Sequence, residues 1–281
     1  MSTGSKPQRI EPEFHTKIWG SPRIGPWFES RGDRLTGEVW FPAGDLLIKF
    51  LFTSQNLSVQ VHPDDDYARA KENSRGKTEM WHILRAEPGA RIALGFRHPI
   101  SREKLVSSAP TGEIMDLLNW IEVGPGDTYF IPAGTVHAIG AGIALCEIQQ
   151  NSDITYRLYD YHRDRPLHLQ QGAEVANLGM HPGKSVPRDI GDGMQFLVGC
   201  PYFRTYRAVI DWPGEARPGE ARPRNLSPLS SRFLIVLEGK GAVNDVPVST
   251  GQVLQATDSR EWLVEPERLT LSSSLKLLLT G

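Results

Sequence analysis

The chain has 281 residues, enough for one large domain or two ordinary ones, with a hydrophobic fraction of 39% and a charged fraction of 23%. The formal net charge of −2 excludes a general electrostatic attraction to nucleic acid or to a membrane, so any anion-binding site must be local. No apolar run reaches the roughly 18 residues of a membrane span, no signal-peptide pattern is present, and two cysteines are too few for a disulfide framework. We therefore expect a cytoplasmic protein that binds neither nucleic acid nor membrane; these features leave the oligomeric state open.

Strand patterns dominate the chain before residue 162. Apolar or alternating segments separated by Gly, Pro and Asp turns predict strands within 45–52, 56–62, 78–84, 90–96, 127–132, 142–150 and 153–161. Two segments predict helical insertions. Acidic residues follow Pro63 in 63–73, and Ile114, Leu117 and Leu118 form an apolar face in 101–120. Many short antiparallel strands with few helices predict a sandwich or a barrel.

The remainder of the chain predicts a second domain. A first domain with an N-terminal extension is expected over residues 1–165. Residues 166–193 are polar and contain several prolines and glycines, which is typical of a linker or crossing segment. A second strand-rich block follows over residues 194–281, in which a tandem GEARP sequence at 214–223 predicts a loop. No histidine follows His181, so this block cannot repeat a histidine-based metal site of the first.

Polar side chains in otherwise apolar strand regions could surround a metal ion. Gln60 and His62 share one face of an alternating strand, Glu79 lies in KTEMW, and His137 follows a turn in PAGTVHAIG. Burying Gln60 or Glu79 without a partner is costly, and a metal ion removes that cost. Two nitrogen and two oxygen ligands suit zinc, with iron or manganese also compatible. Two histidines and one carboxylate also fit a non-haem iron oxygenase.

Five other histidines are interpreted as structural, since a single histidine on a strand usually makes ordinary hydrogen bonds. They are His82, His98, His162, His168 and His181.

Basic residues accompany the candidate metal ligands. Lys49 interrupts the apolar strand LLIKFLF, Lys77 shares the face of Glu79, and Arg157 lies in TYRLYDY with Arg163 six residues later. Alternation places Thr155 and Tyr159 on the face of Arg157, where both could hydrogen-bond. Cations gathered near a metal ion favour an anionic ligand, most commonly phosphate.

Seven segments carry a family resemblance. They are KIWG (17–20), GEVW (37–40), LLIKFLF (46–52), LSVQVHPDD (57–65), GKTEMWHIL (76–84), PAGTVHAIG (132–140) and EIQQNSDITYRLYDY (147–161). In this order they resemble the type I mannose-6-phosphate isomerases, also called phosphomannose isomerases, in their short bacterial and archaeal form. The resemblance is strong over about residues 15–170 and loose over the C-terminal block.

The resemblance implies a mostly β cupin fold, which is a double-stranded β-helix or jelly-roll barrel, with short helical insertions and a second, degenerate cupin-like barrel. It implies one zinc ion per chain, with Gln60, His62, Glu79 and His137 as ligands and Arg157 as the catalytic residue. The substrate-binding positions that it implies are Lys49, Ser58, Lys77 and Arg163. The implied reaction interconverts mannose 6-phosphate and fructose 6-phosphate through an enediol.

Two other functions remain open at this point. One is a cupin metal-dependent oxygenase, against which the cations Lys49, Lys77 and Arg157 argue, because an oxygenase needs no phosphate cradle. The other is a non-catalytic cupin that binds a sugar phosphate, against which an intact ligand set argues. In all three cases the expected partner is a small molecule.

Overall fold

The computed structural model describes residues 6–211, 224–226, 231–257, 262–267 and 274–281. The tandem GEARP segment predicted as a loop lies outside the described residues. The elements up to residue 162 are, in chain order, β1 (Gln8–Ile10), β2 (Glu13–Ser21), β3 (Thr36–Ala43), β4 (Leu46–Phe52), β5 (Val59–Val61), α1 (Asp65–Glu72), β6 (Glu79–Ala86), β7 (Arg91–Phe96), α2 (Arg102–Ser108), α3 (Ile114–Leu117), β8 (Leu118–Glu122), β9 (Thr128–Ile131), β10 (His137–Ile139), β11 (Ile143–Gln150) and β12 (Tyr156–Tyr159).

The elements after residue 162 are almost all strands. They are α4 (Leu169–Val175), β13 (Arg188–Gly191), β14 (Met194–Gly199), β15 (Arg204–Asp211), β16 (Arg224–Asn225), β17 (Phe233–Glu238), β18 (Lys240–Val243), β19 (Val246–Ser249), β20 (Val253–Gln255), β21 (Leu263–Pro266) and β22 (Ser274–Thr280).

The chain divides into two compact units. The first unit comprises Glu13–Arg23 and Arg31–Ser185, and the second comprises Met1–Pro12, Ile24–Ser30 and Val186–Gly281. This division differs from the boundaries expected from the sequence.

Two structural causes account for the difference. Strand β1 pairs with β20 of the second unit, with Gln8 opposite Gln255, so the N-terminal extension leaves the first unit. Helix α4 packs Ala173 into an apolar cluster with Val61 and Leu158, so most of the expected linker belongs to the first unit.

The first unit contains two antiparallel sheets. The six-stranded sheet has the order β2-β3-β4-β11-β6-β9 and the five-stranded sheet the order β12-β5-β10-β7-β8. Buried apolar side chains from both sheets form one core cluster, which includes Leu51, Trp81, Ile83, Ile92, Leu94, Tyr129, Ile139 and Leu145. The opposite face of the five-stranded sheet packs against α2, α3 and α4 through a second cluster that includes Val59, Val61, Phe96, Leu105, Ile114 and Leu158.

The helical segments are shorter than the sequence predicts. Helix α1 begins after Asp64, whose side chain accepts a hydrogen bond from the Tyr67 N–H. The expected helix over 101–120 is interrupted after Ser108 by Pro110 and by Gly112, which has a φ of +86°. The chain becomes extended at Leu118 and continues as β8, so the last part of that prediction is wrong. No helix among the described residues is long and apolar enough to cross a membrane.

The second unit also contains two sheets. A seven-stranded sheet has the order β1-β20-β17-β22-β15-β14-β13, and a four-stranded sheet has the order β16-β21-β18-β19. Its core draws on both sheets and includes Ala208, Leu234, Val236, Leu254, Trp262, Val264, Leu277 and Leu279. The eight histidines of the chain all lie at positions that belong to the first unit.

Candidate functional site

On the inward-facing side of the six-stranded sheet, the side chains change from apolar to polar along individual strands. On β11, Leu145 lies in the core, and Glu147, two residues later, points to the same side. On β6 the same relation joins Trp81 to Glu79. Strand β4 contributes Lys49, which lies opposite Glu147 in the ladder. Strand alternation and register therefore bring charged side chains together in the interior of the first unit.

Two histidines and one carboxylate form a buried cluster in this region. Donor atoms of His62, Glu79 and His137 lie within 4.8 Å of one another, and all three side chains are buried. The Nε2 atoms of His62 and His137 lie 3.7 Å and 3.5 Å from the Glu79 oxygens. The sequence predicted these three residues as metal ligands, and the structure brings them together.

Backbone carbonyls orient both imidazole rings. His62 Nδ1 lies 2.8 Å from the carbonyl oxygen of Ile154, and His137 Nδ1 lies 2.8 Å from that of Thr135. A carbonyl oxygen only accepts, so each Nδ1 carries the proton, and in the neutral ring Nε2 keeps its lone pair. Burial lowers the pKa of His137 to about 4 and that of His62 well below its ordinary value. Both rings are therefore neutral, which is the form that binds a metal ion.

Gln60 lies beside this cluster and could supply a fourth donor group. It lies opposite His137 in the ladder between β5 and β10, and its Nε2 lies 3.2 Å from His137 Nε2. A half-turn of the amide exchanges its oxygen and nitrogen, so the oxygen can face the same point. Ser58 lies one pleat away and donates from its hydroxyl to Gln60 Oε1 over 3.4 Å.

The donor set fits a divalent cation. Neither oxygen of Glu79 makes a hydrogen bond of normal geometry with a described residue, although Lys77 Nζ lies 2.9 Å from Oε2 and 3.1 Å from His62 Nε2. Burial, followed by the nearby Glu147, raises the pKa of Glu79 above its ordinary value. A buried carboxylate of this kind favours additional positive charge. Two imidazole nitrogens with carboxylate and amide oxygens suit zinc and its neighbours in the first transition row.

A cavity of about 290 Å³ opens beside the cluster. It is lined by Gln60 together with Lys17, Trp19, Glu38, Trp40, Lys49, Leu51, Leu57, Ser58, Lys77, Ile139, Glu147, Asp153, Thr155, Arg157 and Arg165. The predicted site residues Lys49, Ser58, Lys77 and Arg157 therefore face one space.

A buried ion pair forms part of the cavity wall. Lys49 Nζ lies 3.3 Å from Glu147 Oε1, and the Trp81 indole N–H donates to Glu147 Oε2 over 2.9 Å. Burial opposes the ionisation of Glu147, but Lys49 and Lys77 together with the Trp81 hydrogen bond hold the pKa of this carboxyl below its ordinary value. Glu147 is therefore a buried, ionised carboxylate in the cavity wall.

Arg157 is held in place at the edge of the five-stranded sheet. It lies opposite Gln60 in the ladder, its NH1 donates to the carbonyl oxygen of Pro166 over 2.9 Å, and its backbone exchanges hydrogen bonds with His168. Burial, followed by the nearby Arg165, lowers the pKa of Arg157. His168, interpreted from the sequence as structural, is thus part of the support of Arg157.

The pairing of β12 with β5 corrects one expectation about this strand. The register shifts between Arg157 and Tyr159, with Arg157 opposite Gln60 but Tyr159 opposite Val59. This bulge turns Tyr159 to the opposite face, where it joins the apolar cluster of Val59. Tyr159 is therefore not a neighbour of Arg157 on the cavity face, whereas Thr155 does line the cavity.

Arg163 and Arg165 are placed differently from each other. Arg163 does not line the cavity; its NH2 donates to Gln55 Oε1 over 3.0 Å and to the carbonyl oxygen of Asn56 over 2.9 Å. Arg165 does line the cavity, and the sequence did not indicate it. It lies in the loop after β12, where no periodicity reports the direction of a side chain.

Three residues that line the cavity, Lys17, Glu38 and Trp40, were also not identified from the sequence. Trp40 donates from its indole N–H to Glu38 Oε2 over 2.6 Å, and Lys17 Nζ lies 3.5 Å from the same oxygen. Lys49 Nζ lies 4.8 Å from the Trp40 ring centroid, a cation–π distance. The sequence does indicate that Glu38 and Trp40 share a face, because they alternate with Gly37 and Val39 in GEVW. This is one of the segments that carry the family resemblance.

The fold and the site together define a class of protein, a two-unit cupin with a buried site of two histidines and a glutamate beside a charged cavity. No protein-family model matches the chain. The chain is 35% identical over 246 residues to the mannose-6-phosphate isomerase ManA of Bacillus subtilis, covering 71% of this chain and 78% of that protein. It is 33% identical over 250 residues to the mannose-6-phosphate isomerase of Streptococcus mutans, covering 72% and 78%. The chain belongs to the mannose-6-phosphate isomerase family.

A solved structure agrees with this assignment. The crystal structure of the mannose 6-phosphate isomerase from Bacillus subtilis superposes with a TM-score of 0.83 at 26% identity, covering 99% of this chain and 100% of that one. The predicted fold class, mostly β and cupin, is therefore confirmed.

Proposed function

We propose that the chain is a zinc-dependent aldose–ketose isomerase that interconverts mannose 6-phosphate and fructose 6-phosphate through an enediol. The observation that carries the proposal is the buried His62–Glu79–His137 cluster opening onto a cavity with five cationic side chains. The names of the related proteins supply the sugar phosphate as substrate class.

The residues that would hold the zinc ion are Gln60, His62, Glu79 and His137. When bound, the ion supplies a fixed positive charge that polarises the sugar oxygens and favours the charge that develops in the reaction. The neutral imidazoles support this role, as does the buried Glu79 carboxylate, neither oxygen of which makes a hydrogen bond of normal geometry with a described residue.

Glu147 is the base in this proposal. The reaction moves a proton between C2 and C1 of the open-chain sugar, which requires a group that accepts the proton from one carbon and returns it to the other. Glu147 is the buried carboxylate of the cavity lining, whereas Glu38 is half-buried and Asp153 is exposed. Lys49, at 3.3 Å, keeps Glu147 ionised.

The cations stabilise negative charge on the substrate. Arg157 faces the cavity from beside Gln60, where enediolate character develops, so its guanidinium binds the transition state more strongly than the ground state. Lys77 and Ser58 hold the sugar hydroxyl groups near the metal ligands.

A coupled assay that detects fructose 6-phosphate formed from mannose 6-phosphate tests the proposed function. Turnover by the zinc-loaded protein is the expected result. Zinc-loaded protein that binds the sugar phosphate without converting it would instead indicate the non-catalytic alternative, and oxygen consumption with an iron-loaded protein would indicate an oxygenase.

Metal content provides a prediction of its own. We expect one zinc ion per chain, bound in the first unit, because the second unit contains no histidine. Treatment with a chelator should abolish isomerisation, and added zinc should restore it. Elemental analysis before and after chelation, read together with the coupled assay, measures both effects; fully active metal-free protein would contradict the assignment.

A further inference from the structure

Arg163 and Arg165, which follow β12, have different neighbours. Arg165 lines the cavity together with Arg157, whereas Arg163 contacts Gln55 and the backbone of Asn56. The family resemblance implies Arg163, six residues after Arg157, as a substrate-binding position. The contacts instead identify Arg163 as a connection between this loop and the segment before β5.

Asp160 holds the Arg165 side chain in a fixed orientation. Its oxygens Oδ2 and Oδ1 accept from Nε and NH2 of Arg165, each over 2.6 Å, which is a two-point contact. The Asp160 side chain is only 2% exposed, and that of Arg165 is 30% exposed. The contact occupies two of the five guanidinium N–H groups, so three remain to bind a ligand, and no described residue accepts from NH1. The guanidinium is therefore oriented before a ligand arrives.

The other cations of the cavity are already matched by carboxylates. Lys17 lies beside Glu38, Lys49 beside Glu147, and Lys77 beside Glu79. Among the described residues, no carboxylate oxygen lies within 4 Å of the Arg157 guanidinium, and Arg163 and Arg165 share the single carboxylate of Asp160. The part of the cavity that Arg157 and Arg165 line therefore has an excess of positive charge.

This excess has an electrostatic consequence. After burial, the largest cause of the lowered pKa of Arg157 is the like charge of Arg165. An anion bound between the two guanidinium groups relieves that repulsion. A dianionic phosphate offers three acceptor oxygens and suits the planar donor arrangement of arginine.

We propose that Arg165, oriented by Asp160, binds the phosphate group of the substrate. The inference rests on the proposed function for the identity of the phosphate ester, but anion binding at Arg165 can be measured independently. Lys49 pairs with the buried Glu147, and Lys77 pairs with the candidate metal ligand Glu79. The described structure shows no contact between Arg165 and a candidate metal ligand. The phosphate thereby contributes binding free energy away from the reacting carbons C1 and C2.

The test compares Arg165→Ala with Arg163→Ala in the zinc-loaded protein. For Arg165→Ala we expect KM for mannose 6-phosphate to rise by about 10- to 100-fold, the range for hydrogen bonds to a charged group. The value of kcat should change much less, because the contact is present in both the ground state and the transition state. Arg163→Ala should raise KM less. Arg69→Ala is the control for the loss of an aspartate-paired arginine, since Arg69 lies 3.3 Å from an oxygen of Asp66 but is exposed at the surface and does not line the cavity.

Direct binding of inorganic phosphate, measured by isothermal titration calorimetry on the same proteins, separates this inference from the proposed function. Weaker phosphate binding by Arg165→Ala than by Arg163→Ala supports the inference even if the wild-type chain does not isomerise mannose 6-phosphate. Unchanged phosphate affinity and KM in Arg165→Ala, or a larger effect in Arg163→Ala, would overturn it while leaving the isomerase activity intact.

Two further variants cover the case in which Arg165→Ala does not fold. Arg165→Lys keeps the charge but loses the two-point contact with Asp160, so phosphate affinity should fall by a smaller factor. Asp160→Asn keeps the shape of the side chain but removes its negative charge, which weakens its hydrogen bonds with Arg165. KM should therefore rise while kcat is largely retained. Wild-type KM and phosphate affinity in both variants would contradict the proposal.

Discussion

Replacement of Arg157 by alanine is expected to lower kcat by about 100-fold or more, which corresponds to about 2.7 kcal/mol of transition-state stabilisation. Arg157 faces the cavity beside Gln60, and its Nε is buried without a hydrogen-bond partner among the described residues. A guanidinium in this state has donor capacity available for a group that becomes negative during the reaction. The proposed enediolate is such a group.

Steady-state kinetics on metal-replete Arg157→Ala gives kcat and KM separately, and elemental analysis verifies that zinc content is unchanged. Arg157→Lys should recover only part of the loss, because lysine cannot donate to the carbonyl of Pro166 and to the substrate from one planar group.

Arg85 provides a matched control for the loss of a partly buried arginine. It also donates to a backbone carbonyl, that of Arg23, over 2.7 Å, and its pKa is also lowered first by burial and then by a neighbouring arginine. It does not line the cavity. Arg85→Ala should therefore leave kcat unchanged. If Arg157→Ala raises KM without lowering kcat, Arg157 binds the ground state and the transition state equally, and the catalytic role is wrong.

Strand alternation was sufficient to predict which side chains of the candidate metal ligands share a face. Gln60 and His62 share a face because side chains alternate along an extended chain, and the same rule relates Glu79 to Lys77. Alternation is local, however, and does not give the partner strand. The opposition of Gln60 to His137 and to Arg157 depends on register between strands far apart in sequence, which turns and packing determine. The family resemblance supplied this long-range information.

The remaining differences arise where the chain departs from regular periodicity. A bulge after Arg157 reverses the face of Tyr159, and Pro110 with Gly112 divides a segment whose apolar spacing indicated one helix. Arg165 lies in a loop, where the direction of a side chain depends on its partner. In this case the partner is Asp160, the residue that directly follows β12.

Replacement of Glu79 by alanine is expected to weaken zinc binding by at least about 10-fold, and more than replacement of Gln60 by alanine. The carboxylate is fully buried and lies 3.7 Å and 3.5 Å from the two Nε2 atoms, so it supplies the negative charge of the cluster. Gln60 is neutral and contributes a dipole only. Loss of Glu79 also leaves the buried Lys77 ammonium without the carboxylate that lies 2.9 Å away, which opposes binding of a second cation.

Zinc retention after dialysis and competition with a chromophoric chelator measure the two affinities directly. The shift of Tm on adding zinc offers a second measurement, since a ligand that binds only the folded state stabilises it in proportion to its affinity. This shift should be largest in the wild type, smaller in Gln60→Ala and smallest in Glu79→Ala. Glu38→Ala controls for the loss of a cavity carboxylate, because Glu38 pairs with Lys17 and Trp40 and contacts no member of the cluster. Wild-type zinc affinity in Glu79→Ala would show that the His62–Glu79–His137 cluster is not the metal site.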